Sequence, residues 1–386
     1  MRLITFQAAS LLLTTGLAPS LGLGQTLTFD PRSQFDRAPL ASARAAGMAE
    51  ALTPVADGPD AVYYNPAAIG GIRQKEEGTL SDFYFPYFSI AGDSHALALA
   101  KELRSGKNLE DDAVTTELLR THSGANPYAR VSLFPHAVYR RMFVGYTYDV
   151  RASSAPHADD ATALDVDERS QRGPIIGYSL ASDRKDLYWG LSIGYLERSE
   201  TQGSFPLATL NQADDRKRAF HEVNRIYKGS PIHTGVLWNF QQQGLRGSLG
   251  VVVRNLTGTR YDSSSTDTPT YKDPEDLTIA ASISPSLGRW GYWNLVGQVS
   301  ELTRNDIETK EKFRLGSEWT FGDAFGSKST CALRVGYRYA GLSWGASLRL
   351  GILGLNLASY PEDVGLGNTH VIERRSIVNL AINLVD

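Results

Sequence analysis

The chain has 386 residues, with 39 Lys and Arg against 42 Asp and Glu, and its formal net charge of -3 argues against nucleic-acid binding as its main task. The lone Cys331 excludes an internal disulfide framework. A mean hydropathy of -0.25 with no long apolar run excludes a bundle of transmembrane helices, and 18 Tyr, 36 Gly and only 3 Met fit a β-rich chain.

Met1 to Gly24 reads as a secretory signal peptide, with Arg2 as its positive start, Leu3 to Leu17 as its apolar stretch and Gly22-Leu23-Gly24 as the cleavage site. No Cys follows the apolar stretch, which argues against a lipoprotein anchor. Residues 25–79 form a second unit dominated by small side chains. A short Ala-rich helix is expected from Ser42 to Leu52, stopped by Pro54. Asp57-Gly58-Pro59 makes a turn, and Ala61 to Tyr64 reads as a small extended run. Asn65-Pro66 holds the chain extended before Ala67, and Gly70-Gly71 frees the backbone again. Such a segment fits a confined space but cannot build a core of its own.

From Leu80 to Asp386 the dominant signal is period-two alternation. Leu187, Trp189, Leu191, Ile193 and Tyr195 alternate with Tyr188, Gly190, Ser192 and Gly194. The same pattern recurs at Phe313 to Phe321, Cys331 to Tyr339, Trp344 to Leu350 and Val378 to Leu384. One face is aliphatic and aromatic and the other is Gly, Ser, Asn and Arg, which suits strands between hydrocarbon and a lumen better than a soluble sandwich. About fourteen such segments can be counted, each near the roughly 9 to 11 residues that a tilted membrane strand needs. Short turns, as at Arg140-Arg141 and Asp183 to Asp186, alternate with long loops. Those loops are expected at Gly92 to Tyr128, Ala152 to Arg172, Ser199 to Ser230, Thr257 to Glu275, Leu302 to Lys310 and Tyr360 to Arg374. The fold class is therefore an all-β transmembrane barrel of the bacterial outer-membrane kind.

Within the loops, Ser94 to Arg104, Leu109 to Thr121 (N-capped by Asn108) and Asp214 to Ile226 read as helices with apolar faces. Asp159, Asp160, Asp165, Asp167 and Glu168 read as a solvated acidic loop. Two G-x-S-x-G matches, at Gly190 to Gly194 and Gly341 to Gly345, lie mid-strand rather than on the strand-to-helix elbow that exposes a nucleophile. The seven histidines lack metal-ligand spacing, so no metal or cofactor is expected. Arg254, Arg314, Glu318, Arg334, Arg338 and Arg349 would be costly against lipid and are expected to face the lumen. They have two readings: holding a substrate carboxylate, or anchoring the N-terminal segment through Asp57, Asp60 and backbone carbonyls. Pro135 and Pro285 fall inside strands and mark candidate distortions of the wall.

The N-terminal residues Arg44, Ala45, Gly47, Ala51, Ala56, Asp57 and above all Asn65-Pro66-Ala67 resemble the hatch of the FadL family of outer-membrane transporters for long-chain fatty acids and other hydrophobic compounds. The resemblance implies that residues 25–79 plug a fourteen-stranded barrel, 80–386, with Gly47, Asp57, Asn65, Pro66 and Ala67 as gating residues. It further implies passive uptake of a fatty acid, lipid or similar ligand by a monomeric barrel among outer-membrane lipids. Extracellular helices would catch the ligand, and a kinked strand, here at Pro135, would let it leave sideways. A second reading comes from PorV-type barrels, which also carry Asn-Pro-Ala and hand over secreted proteins. An outer-membrane lipase would require Ser192 or Ser343 beside a histidine.

Overall fold

The computed structural model describes residues 37–72, 80–103, 112–121, 126–157, 162–206, 209–210, 212–242, 245–263, 270–321, 329–364 and 371–385. The signal peptide, Asn108, Asp159 and Asp160 lie outside the described residues.

Among the described residues, nineteen antiparallel strands form one sheet. In chain order they are β1 (Leu80–Gly92), β2 (Tyr128–Leu133), β3 (His136–Tyr139), β4 (Met142–Pro156), β5 (Ala163–Ala181), β6 (Leu187–Gly194) and β7 (Leu196–Pro206). There follow β8 (Arg225–Gly229), β9 (Ile232–Gln242), β10 (Leu245–Arg254), β11 (Thr259–Ser263), β12 (Tyr271–Asp273) and β13 (Asp276–Pro285). The last are β14 (Tyr292–Val299), β15 (Phe313–Phe321), β16 (Ser329–Arg338), β17 (Gly341–Leu350), β18 (Leu353–Asp363) and β19 (Ile372–Asn383). Five pairs, β2/β3, β6/β7, β8/β9, β10/β11 and β12/β13, are successive halves of one interrupted stave, so the nineteen segments make fourteen staves. The sheet closes on itself at β1, where Phe88 pairs with Leu380 on one side and with Leu133 on the other. Closure leaves no unpaired edge, the condition for a β-sheet to cross a bilayer.

The side-chain alternation sorts as expected. Trp189, Ile193, Leu315, Leu333, Val335, Trp344, Val378 and Leu380 are exposed on the outer wall, whereas Ser192, Arg314, Glu318, Arg334 and Asn379 are buried inside. Helices occur at Ser94–Leu103, Asp112–Thr121 and Ala213–Val223, close to where the apolar faces put them.

Of the expected loops, Ala152 to Arg172 is largely strand, and Ser199 to Ser230 and Thr257 to Glu275 are strand in part. Residues 152–156, 163–172, 196–206, 225–229, 259–263 and 271–273 continue the staves past the apolar wall. The outward side chains change character there: Arg172 donates to Glu197 at 2.9 Å, Lys228 lies 3.6 Å from the same carboxylate, and Arg260 pairs with Asp262 at 2.8 Å. Such a face belongs in water, so these halves stand above the hydrocarbon. Their polar alternation hides the period-two signal that betrays the lower halves. Asp165 and Asp167 are accordingly buried inside β5 instead of forming a solvated loop.

The transition is marked by a row of interruptions. Pro135, between β2 and β3, accepts from Tyr146 N at 3.0 Å; Tyr146 pairs with Pro174, whose carbonyl accepts from Tyr195 N at 3.0 Å. Gly194 N then donates to Pro231 O at 2.9 Å, and Asn255 Nδ2 to Pro274 O at 3.3 Å. Each proline lacks the N–H that would continue the ladder, so a ladder hydrogen bond is missing at each point of this row. Gly173 sits in the same row with φ +151, where a Cβ would fall 1.9 Å from Tyr195 O. Pro135 thus lies in the gap between β2 and β3. Pro285 lies in no such gap: it ends β13 opposite Leu245 and leaves the wall undistorted.

Candidate functional site: the inner segment and its seat

Residues 37–72 run inside the barrel and, with the inward faces of the staves, form its main apolar cluster. The Ala-rich helix is shorter than expected, Ala43–Gly47, with Ser42 Oγ capping Ala45 N at 3.1 Å. It stops at Met48 because Ala49 and Glu50 turn left-handed, at φ 50 and 65, which directs the Glu50 carboxylate onto the wall arginines. Ala61–Tyr64 is a helical turn and not an extended run; all four residues are buried, and a turn packs them more compactly. Asn65 is extended, and its Oδ1 accepts from Ala67 N at 3.1 Å to start the 3-10 turn Pro66–Gly71. Its Nδ2 donates to Thr53 O at 3.1 Å, tying the two halves of the segment together.

A buried segment without sheet partners must have its backbone groups satisfied by something else. Wall side chains do this. Ser192 Oγ donates to Val62 O at 2.7 Å, Ser179 Oγ to Ala67 O at 2.9 Å, Ser89 Oγ and Asn379 Nδ2 to Ala41 O at 2.8 and 2.9 Å, and Arg130 Nη2 to Ala38 O at 2.8 Å. Gln298 grips twice, donating to Glu50 O at 3.0 Å and accepting from Thr53 N at 3.1 Å. Sequence reasoning missed Gln298, Asn379 and Ser179. Their only signal was a polar residue on the inward phase of an alternating strand.

Glycines make room for this approach. A Cβ at Gly190 would lie 2.1 Å from Pro66 C, one at Gly235 2.4 Å from Asn65 Oδ1, and one at Gly336 2.4 Å from Met48 C. Gly345 and Gly47 face each other, with a Cβ on Gly47 3.2 Å from Gly345 Cα. The two G-x-S-x-G matches are therefore seats for the inner segment. Ser192 is opposite His233 in the β6–β9 register, but its hydroxyl is spent on Val62 O while His233 Nδ1 accepts from Asn255 N at 3.1 Å. Neither Ser192 nor Ser343 bonds to a histidine among the described residues. At the outer end, His157, Asp165 and Ser204 do cluster, but the carboxylate (2.8 Å) and the hydroxyl (3.1 Å) share one nitrogen, Nδ1. A nucleophilic relay needs both ring nitrogens.

Five of the six expected lumen charges belong to two ionic clusters that include residues of the inner segment. Glu318 takes Arg44 at 2.8 Å through both oxygens and Arg334 at 2.6 Å. Glu50 bridges Arg314 and Arg338, the latter at 3.4 Å, and Arg338 also meets Glu362 at 2.9 Å. Arg254 holds Asp276 at 2.8 Å, with Arg37 3.8 Å from the same carboxylate. Arg349 donates to Gly351 O at 3.2 Å near the turn after β17. Asp57 pairs with Arg44 of its own segment at 2.6 Å, so a wall arginine is not its anchor. Buried charges of this kind are tolerable only when paired and hydrogen-bonded. No group of three or more His, Cys, Asp or Glu among the described residues is arranged to hold a metal.

No family model matches the chain, and no curated protein matches it either. Solved structures do. A TodX mutant described as a monoaromatic hydrocarbon channel superposes with a TM-score of 0.50 at 9% identity, over 89% of this chain and 97% of that one. The Pseudomonas putida toluene transporter TodX gives a TM-score of 0.47 at 9% identity, over 89% and 96%. The outer membrane phospholipase of Salmonella typhi gives 0.26 at 11% identity, over 83% and 98%. The chain is a fourteen-stave β-barrel with the fold of the TodX monoaromatic hydrocarbon channel.

Proposed function

We propose that the barrel admits hydrophobic small molecules across the outer membrane passively, with residues 37–72 acting as a hatch. The observation that carries this reading is how the inner segment is held. Scattered side-chain hydrogen bonds from Ser179, Ser192, Gln298 and Asn379, together with ion pairs at Arg44 and Glu50, fix it to many staves without a continuous ladder. Bonds of this kind can be exchanged a few at a time, which suits a plug that shifts and returns. Asn65, Pro66 and Ala67 sit where the two halves of the segment meet, and Gly47 and Asp57 flank the Arg44 pair, so these five residues are the proposed gate. The outer cluster of Leu118, Leu164, Val166, Phe205 and Leu210 offers an apolar landing place, and the Pro135 break is the proposed side exit.

Toluene is the cargo named for TodX; hydrocarbons and long-chain fatty acids are the classes proposed here. Cells with and without the gene, given radiolabelled oleate or toluene, test the reading. Gene-dependent, energy-independent uptake of either supports it. Equal uptake in both strains, with secreted proteins captured on the barrel instead, replaces it with a secretion role.

A further inference from the structure

Behind the row of interruptions is a cavity of about 20 Å³, between the wall and the inner segment. Its apolar side includes Val62, Ile175, Leu196 and Pro231, and its polar side includes Arg198, Tyr261, Asp273, His233, Asn255 and Arg37, the last already paired with Glu301 and Asp276. Arg198 is 3% exposed, Asp273 2% and Tyr261 0%. Arg198 spends Nη2 on Asp273 Oδ2 at 2.8 Å and Nε on Gln171 at 3.0 Å, and its guanidinium lies over the Tyr261 ring at 4.1 Å. Three buried polar atoms are left over: Arg198 Nη1, Asp273 Oδ1 and Tyr261 OH have no hydrogen-bond partner. Buried polar groups in native proteins are almost always satisfied, and leaving them bare is costly.

The volume admits one water-sized group, since a water needs roughly 10–15 Å³ of such space and two to four polar partners. The partners also define its chemistry. Arg198 Nη1 can only donate and Asp273 Oδ1 can only accept, so the occupant must both accept and donate. A hydroxyl does so. A carboxylate has no proton to give and would face the Asp273 oxygen, and a bare hydrocarbon would leave all three atoms unpaired.

We propose that this cavity is a hydroxyl-recognition site, occupied by one water at rest and by the hydroxyl of a phenol- or alcohol-bearing hydrophobic compound in transit. The apolar remainder of that compound lies along Val62, Ile175, Leu196 and Pro231 as the Val62–Tyr63 stretch gives way. The proposal rests on the transport reading and narrows it, favouring neutral hydroxylated cargo over carboxylates at this point of the path.

The test uses the full-length protein in outer membranes, with toluene, 4-methylphenol and 4-methylbenzoate as probes of one skeleton. Tyr261→Phe keeps the ring over Arg198 and removes one oxygen. It is expected to slow 4-methylphenol uptake about three- to tenfold, the worth of one neutral hydrogen bond, while toluene uptake is unchanged. Asp273→Asn serves as the second variant and should shrink the preference for 4-methylphenol over 4-methylbenzoate. Unchanged ratios in both variants, or faster 4-methylbenzoate than 4-methylphenol in the native protein, overturn the proposal. If the native protein admits none of the three, the transport reading itself falls. The cavity is then judged from a high-resolution structure with 4-methylphenol. Oxygen density bridging Arg198, Tyr261 and Asp273 upholds the site, and an empty cavity overturns it.

Discussion

Gly190 lies directly against the Pro66–Ala67 peptide: a Cβ built on it would come within 2.2 Å of Ala67 N. The obstacle is backbone from a segment more than a hundred residues earlier in the chain, so no rotamer change relieves it. Gly190→Ala should therefore destabilise the seated arrangement by about 1–3 kcal/mol, the usual cost of overpacking. Limited proteolysis should cut the 37–72 stretch faster while the barrel keeps its heat-dependent gel mobility. An unchanged cleavage rate would mean that the wall yields instead.

Asn65 joins the two halves of the inner segment by one accepted and one donated bond. Asn65→Ala removes the cap of the 3-10 turn and leaves Thr53 O without that donor, a loss of about 1 kcal/mol or somewhat more. A looser gate is expected to raise leakage of small polar dyes into cells expressing the variant. Lower leakage than in the native protein would argue that Asn65 opens the gate and does not hold it shut.

Glu318 neutralises both Arg44 and Arg334 in a buried setting. Glu318→Gln leaves Arg334 without its carboxylate and Arg44 with Asp57 as its remaining one, and breaking such a pair costs about 3–5 kcal/mol. Adding Arg44→Met should recover part of that loss, because it removes one of the two cations left under-neutralised beside residue 318. Thermal melts of the purified single and double variants in detergent check this. Strictly additive losses would show that the pairing is not what holds the segment.

Asp273 sits in β12, above the apolar band. Burial pushes its carboxyl up, but Arg198 at 2.8 Å outweighs burial and holds it below its ordinary value. A carboxyl depressed in the folded state contributes stability above its unfolded value, about 3.9, and loses that contribution as pH falls through the lower folded value. Melting temperatures of the native protein should drop over that acid window, and Asp273→Asn should flatten this part of the curve. A parallel curve in the variant would contradict the assignment.

Pro135 interrupts its stave between β2 and β3. Pro135→Ala restores an N–H and lets the ladder close, so uptake should fall if cargo leaves sideways there, with stability equal or higher. Undiminished uptake would move the exit elsewhere along the row, with the Gly173–Tyr195 contact the next position to vary.

Much of the barrel was legible in the chain because a lipid-facing strand must repeat with period two, and only one face of it can be apolar. Leu187 to Tyr195 and Cys331 to Tyr339 carry that requirement residue by residue. The inner segment was legible as a unit from its small residues and Asn65-Pro66-Ala67, though not its local shape. Ala61–Tyr64 took a helical turn because packing inside a closed wall outweighed weak local preference. The upper halves of β5, β7, β8, β11 and β12 were not legible as strands, since water on the outside removes the apolar face that would reveal them. The sequence alone determined which residues look outward and that a small-residue segment precedes the barrel. Only the tertiary structure decided that Glu318 belongs to Arg44, that Ser192 serves Val62 and that Arg198, Tyr261 and Asp273 share a cavity. Those partners are far apart in the chain, and the closing of the sheet around the inner segment brings them together.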